Sequence, residues 1–76
     1  MKVIVVGGGA REHAICDAVY RSKNVELYSI MSNLNPGIQL LAKDFLKEKE
    51  TNVEKVVDYA KEKRIDLAII GPEAPL

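Results

Sequence analysis

The sequence predicts one small α/β domain built on an open, all-parallel sheet. A short apolar run at residues 3–6 meets three glycines at residues 7–9 and then a helix pattern. Strand and helix patterns alternate in the order βαβαβαβ, which is typical of parallel strands joined by crossover helices. Right-handed crossovers in a doubly wound arrangement give a Rossmann-like sheet with strand order 3-2-1-4 and helices on both faces.

The first strand and first helix follow from the N-terminal pattern. The first strand is predicted over residues 2–6, where residues 3–6 are apolar without alternation, as expected for a strand covered on both faces. The first helix is predicted over residues 10–22, where Cys16 is expected to be a small core residue. Its predicted apolar stripe consists of Ala14, Ile15, Ala18 and Val19.

The middle of the chain predicts two short strands around a short helix. The second strand, residues 25–31, ends in a turn cluster at residues 32–37. A helix over residues 36–42 follows, with proline at a first-turn position. A third strand is expected at the sheet edge over residues 44–49, and the charge run at residues 43–50 indicates a solvated edge.

The last third of the chain predicts one helix and one strand. Residues 51–54, Thr-Asn-Val-Glu, match a capping box in which Thr51 begins the third helix. The helix ends near residues 63–64, where two cations suit the helix dipole. The fourth strand, residues 66–70, has the pattern of a fully buried strand. The predicted apolar face of the helix consists of Val53, Val56, Val57 and Ala60.

Composition and charge exclude several classes of function. The chain has 76 residues, and its 11 basic and 11 acidic side chains cancel, which argues against a nucleic-acid partner. One cysteine forms no intramolecular disulfide and suits a reducing compartment. The sequence shows no signal peptide and no apolar stretch near the ~20 residues of a membrane span. We therefore expect a cytoplasmic protein without a membrane partner.

The predicted topology brings two loops to one crevice. Ligands of doubly wound sheets bind at the carboxyl ends of the strands, where the strand order reverses. This switch point lies between strands 1 and 4. The amides at the start of the first helix favour an anion there, and Arg11 is a candidate donor to it. The other candidate residues of the two loops are Gly7, Gly8, Gly9, Gly71, Pro72 and Glu73.

A nicotinamide or flavin dinucleotide fits the glycine loop poorly. Glu12 stands where the dinucleotide motif has its third glycine or alanine. The end of the second strand, residues 31–33, has neither the carboxylate that holds a ribose nor an arginine for a 2′-phosphate. We therefore expect residues 7–9 and the first helix to bind the 5′-phosphate of a ribosyl group.

Of five candidate side chains near the crevice, three allow both a structural and a functional interpretation. Arg11 is either solvated or a donor to the anion, and Glu12 is expected to satisfy the helix dipole. Glu73 is either a solvated turn residue or an acceptor for sugar hydroxyls. Asn33 either stabilises its turn or contributes its amide to the crevice. His13 is expected to pack or to form a hydrogen bond, because no second histidine or cysteine cluster accompanies it.

Two segments carry a resemblance to a known family. Residues 7–14 read Gly-Gly-Gly-Ala-Arg-Glu-His-Ala, and residues 66–76 read Asp-Leu-Ala-Ile-Ile-Gly-Pro-Glu-Ala-Pro-Leu. Together, at this separation, they resemble the N-terminal domain of the phosphoribosylamine–glycine ligase (glycinamide ribonucleotide synthetase) family, and the likeness covers the whole chain. Residues 31–37 depart from the family's more common Ala-Pro-Gly-Asn-Ala-Gly form and resemble an archaeal-type variant.

The resemblance implies that residues 1–76 are the substrate-binding, pre-ATP-grasp domain of an ATP-grasp ligase of de novo purine synthesis. Such an enzyme joins glycine to 5-phosphoribosylamine, with ATP converted to ADP and phosphate in the presence of Mg²⁺ or Mn²⁺. In this family, ATP, the metal and most catalytic groups belong to later domains. The resemblance therefore implies no cofactor, metal ligand or catalytic residue in this chain, and no ligase activity from it alone.

Two other interpretations remain open beside the ligase. The chain could be a stand-alone module that binds a nucleotide or sugar phosphate without catalysis, or a structural remnant. An ATP-grasp region encoded after residue 76 would favour the ligase. The apolar strand at residues 66–70 is also expected to offer a free edge, through which the chain associates with a second copy.

Overall fold

The fold is a four-stranded parallel sheet between two layers of helices. The computed structural model describes residues 1–71. The strand order is β3-β2-β1-β4, and every pairing is parallel, which confirms the predicted α/β class and strand order. The elements are β1 (Lys2–Val6), α1 (Ala10–Tyr20), β2 (Glu26–Met31), α2 (Pro36–Leu41), β3 (Asp44–Lys47), α3 (Val53–Glu62) and β4 (Leu67–Ile70).

Each face of the sheet has its own apolar cluster, because successive side chains of a strand point to opposite faces. Helices α1 and α2 cover one face, and α3 covers the other, which confirms helices on both faces. The central strand β1 is buried from Val3 to Val6, as predicted. The first cluster contains Val5, Cys16, Leu27, Met31 and Ile38. The second contains Ile4, Tyr28, Ile30 and Tyr59.

Helix α1 buries a different line of side chains from the predicted stripe. Its fully buried residues are Glu12 and Cys16, which are four positions apart and therefore share one face. Cys16 is buried in the core as predicted, and burial, and then the charge of Glu12, raise the pKa of its thiol to about 11. The predicted stripe is confirmed for Ile15 and Val19, which are half-buried and pack against the first cluster, and wrong for Ala14 and Ala18, which are exposed.

Helix α3 begins one residue later than a Thr51 cap would require. Asn52 is the N-cap, and its Oδ1 accepts a hydrogen bond from the amide of Lys55 at 3.3 Å. The predicted capping box between Thr51 and Glu54 is therefore wrong. Threonine and asparagine both cap helices, with asparagine preferred, so the adjacent asparagine takes the position.

The rotation of α3 also differs from the prediction. Val53 and Val57 are 66% and 42% exposed, so half of the predicted apolar face points to solvent. Val56 and Tyr59 pack against the sheet instead. The Tyr59 hydroxyl donates a hydrogen bond to Asp44 Oδ2 at 3.1 Å. This contact ties α3 to β3 and keeps the 56/59 face on the sheet.

Strand β4 lies at the edge of the sheet formed by the described residues. Within residues 1–71 it pairs with β1 alone. Leu67 and Ile70 are 46% and 44% exposed, and only Ile69 packs against the α1–α2 cluster. The prediction of a fully buried strand is therefore wrong for this part of the structure, because an edge strand has one neighbour and neither apolar cluster includes Leu67 or Ile70.

We predict that Asn52→Ala lowers the free energy of unfolding by about 1 kcal/mol, because the amide of Lys55 loses its acceptor. Thr51→Ala is the matched control, one residue away, and should change it by less than about 0.5 kcal/mol. Urea denaturation of both variants measures the difference. A larger loss from Thr51→Ala would show that the helix is capped by threonine.

Candidate functional site

A cleft of about 240 Å³ opens at the carboxyl ends of β1 and β2. The glycine loop (residues 7–9) and the turn after β2 meet there, and the loop between β3 and α3 contributes one side chain. The cleft is lined by Gly7, Gly8, Gly9, Glu12, Ser32, Asn33 and Glu50. Ligands of open parallel sheets bind at this edge.

The glycine loop leads into α1 without a capping side chain of its own. Gly9 is the N-cap and has an extended backbone. Its amide donates a hydrogen bond to Glu12 Oε1 at 2.9 Å, so the helix is capped from within its first turn. The amide of Gly7 donates to the carbonyl of Ile30 at 2.8 Å, which attaches the loop to β2. The first-turn amides of any helix have no intrahelical acceptor, and they adjoin this loop.

The Glu12 carboxylate lies between the glycine loop and the end of β4. Its side chain is 1% exposed. A Cβ on Gly7 would lie 2.6 Å from Glu12 Cγ, and a Cβ on Gly71 would lie 2.5 Å from Glu12 Cδ. Gly7 also has φ 127°, a conformation that other residues rarely adopt. Among the described residues, Glu12 Oε2 has no hydrogen-bond partner.

The turn after β2 is organised by Asn35, a residue that sequence reasoning did not single out. Its Oδ1 accepts hydrogen bonds from the amides of Gly37 at 2.9 Å and Ile38 at 3.3 Å, and so caps α2. Its Nδ2 donates to the carbonyl of Gly8 at 3.1 Å. Asparagine directly before a proline that opens a helix is a recognisable cap signal. The second contact holds the turn against the glycine loop.

Glu50 is the other cleft residue that sequence reasoning missed. Its Oε2 accepts a hydrogen bond from the amide of Ser32 at 2.9 Å, which brings a carboxylate to the end of β2. The solvated edge predicted for residues 43–50 is therefore wrong at this residue. Burial raises the pKa of Glu50, but hydrogen bonds from the backbone of Ser32 and of Glu50 itself outweigh it, and the pKa falls below its usual value.

Four of the eight predicted site residues line the cleft, namely Gly7, Gly8, Gly9 and Asn33. Gly71 is buried, and its amide donates to the carbonyl of Val6 at 2.9 Å. It does not line the cleft itself, but it lies against Glu12, which does. Arg11 is exposed on the first turn of α1 and does not line the cleft. Pro72 and Glu73 lie outside the described residues.

His13 has a packing position rather than a place in the cleft. It is half-buried, and its imidazole lies against the backbone of Gly37 in α2. Within residues 1–71, His, Cys, Asp and Glu side chains form no cluster that could hold a metal ion. The helices of that part of the chain are too short or too polar to cross a membrane.

The fold and the cleft define a Rossmann-like α/β domain with a glycine-loop cleft at the carboxyl edge of its sheet. Comparison with known proteins shows which domain of this class it is. The chain belongs to the family described as phosphoribosylglycinamide synthetase, N domain, whose model matches residues 1–76.

Curated relatives are consistent with this family. The chain is 57% identical over 77 aligned residues to a phosphoribosylamine–glycine ligase of Methanosarcina barkeri. It is 54% identical over 76 residues to a protein of the same name from Pyrococcus horikoshii. The alignments cover 100% of this chain but 18% and 17% of those relatives. The chain thus spans less than a fifth of the length of the curated relatives it matches.

We predict that Gly71→Ala lowers the free energy of unfolding by at least about 1 kcal/mol, because the new methyl group would overpack against the buried Glu12 carboxyl. In a Glu12→Ala background, which removes the colliding atoms, the same change should cost almost nothing. Urea denaturation of the two single variants and the double variant gives this coupling. An equal loss in both backgrounds would show that Glu12 is not what requires glycine at position 71.

Proposed function

We propose that this domain binds the 5-phosphoribosylamine substrate of a phosphoribosylamine–glycine ligase, and so serves purine biosynthesis. The observation that carries the proposal is a cleft built on a glycine loop and a helix N-terminus, in a chain of this family. The full enzyme would join glycine to the amine and convert ATP to ADP and phosphate.

The 5′-phosphate is proposed to lie on the glycine loop, beside the first-turn amides of α1. Glycines let a phosphate approach the backbone closely, and the positive end of the helix dipole favours it. Arg11, exposed on the same turn, is the proposed side-chain donor to this phosphate. Asn33 and Glu73 are the proposed polar contacts of the sugar, with Glu73 accepting from ribose hydroxyls.

ATP and Mg²⁺ or Mn²⁺ are proposed to bind in an ATP-grasp region outside this chain. The first of the relatives is between five and six times as long as the part that matches, since the alignment covers 18% of it. The chain alone would then bind no ATP and have no ligase activity. A second candidate, a sugar-phosphate-binding module without catalysis, is favoured by the fact that, within the described residues 1–71, the lining of the cleft comes from residues 7–50.

We predict that Gly9→Val, in a full-length ligase that carries this domain, raises the KM for 5-phosphoribosylamine at least about tenfold, because a branched side chain at the N-cap would hold the phosphate away from the helix amides. The KM for ATP should change little. Steady-state kinetics with each substrate varied in turn measures both constants. An equal rise in the KM for ATP would count against this placement of the phosphate.

Strand β4 is proposed to be an association site of the isolated chain. Its outer edge is unpaired within the described residues, and Leu67 and Ile70 expose apolar surface on it. Unpaired edges with exposed apolar side chains tend to pair with another strand. A second copy of this chain, offering the same edge, is the proposed occupant.

We predict that the isolated chain forms dimers or larger species in sedimentation experiments at high concentration, and that Leu67→Lys shifts it towards monomer by placing a charge on the edge. Leu40→Lys is the matched control, since Leu40 is a leucine on α2 that is 86% exposed and distant from β4 in the chain. A stable wild-type monomer would contradict the proposal. So would equal effects of the two lysine variants.

A further inference from the structure

A carboxylate reaches the end of β2 from a different part of the chain. In dinucleotide-binding sheets, an acidic residue at the end of this strand holds the ribose hydroxyls. Residues 31–33 contain no acidic side chain. The structure nevertheless brings Glu50 there, from the loop between β3 and α3, with its Oε2 2.9 Å from the amide nitrogen of Ser32.

The position of Glu50 is defined by its surroundings. The amide of Ser32 donates to one carboxylate oxygen, and an ionised carboxylate offers about four acceptor positions, so the group can accept further hydrogen bonds. Parallel pairing of β2 with β3, in which Met31 stands opposite Lys47, puts the loop that follows β3 beside this edge. The side chain is half-buried and lines the same cleft as the glycine loop.

A second observation indicates that this cleft takes a ligand with hydrogen-bond donors. Glu12 also lines it and is 1% exposed, and its Oε2 has no partner among the described residues. Buried polar oxygens are nearly always hydrogen-bonded in folded proteins. A buried oxygen without a partner therefore favours a ligand that brings a hydrogen-bond donor to it. Two carboxylates in one cleft favour hydroxyl or amino groups and disfavour a second phosphate.

We propose that Glu50 is a specificity-determining residue that accepts hydrogen bonds from the hydroxyl groups of a ribose ring in this cleft. The inference rests on the proposed function, in which the phosphate of the same ligand lies on the glycine loop. It adds the residue that distinguishes a ribose phosphate from a bare anion. It also explains why a sugar monophosphate suits the cleft better than a dinucleotide, whose pyrophosphate would face Glu12 and Glu50.

The test compares the affinities of the chain for ribose 5-phosphate and for inorganic phosphate by isothermal titration calorimetry. The ratio of the two dissociation constants isolates the contribution of the sugar, because a change in local charge affects the phosphate group of both ligands. Glu50→Gln keeps an oxygen that can accept from Ser32 and removes the charge. Glu54→Gln is the matched control, since it removes the same charge from an exposed position on α3.

The wild-type chain should prefer ribose 5-phosphate, and Glu50→Gln should reduce this preference about fivefold to tenfold, because hydrogen bonds to a charged acceptor are the stronger ones. Glu54→Gln should leave the ratio unchanged. If Glu50→Gln leaves the ratio unchanged, or weakens the affinity for both ligands equally, the role of Glu50 is overturned and the proposed function still stands. No binding of either ligand by the wild-type chain would overturn both.

Discussion

The buried carboxylate of Glu12 is the contact on which the candidate site depends. It accepts the amide hydrogen of Gly9, and so starts α1 without a capping side chain. It also fills the space beside Gly7 and Gly71, where a Cβ would come within 2.6 Å and 2.5 Å of its carbons. One side chain therefore sets the start of a helix, the path of the glycine loop and the end of β4. A carboxylate at the first turn of a helix is also favourably placed with respect to the dipole.

The sheet could be predicted from the sequence because its signals are local. The apolar run of β1, the glycines after it and the proline at the start of α2 each act over a few residues, and the crossover rules convert their order into a strand order. The rotations of α1 and α3 could not be predicted in the same way. They depend on tertiary contacts, such as Glu12 with Gly71 and Tyr59 with Asp44. The hydrophobic periodicity of a helix carries no information about such contacts.

The candidate site shows the same division between local and distant signals. The glycine loop was predicted from its own residues, whereas Glu50 was assigned to a solvated charge run, because nothing in residues 43–50 shows that the loop folds back to Ser32. Their hydrogen bond joins residues 18 positions apart. The cleft consequently combines helix amides, which suit an anion, with two carboxylates, which suit donors. A phosphorylated sugar presents both kinds of group.

In the proposed complex, one sugar phosphate spans the glycine loop and the end of β2. The most direct test is a titration of the ¹⁵N-labelled chain with ribose 5-phosphate, followed through the amide resonances. We expect the largest shifts on residues 7–11 and 32–33, with small shifts in α3. Shifts centred on α3 or on the β4 edge, or no saturable shifts at all, would contradict the proposed complex.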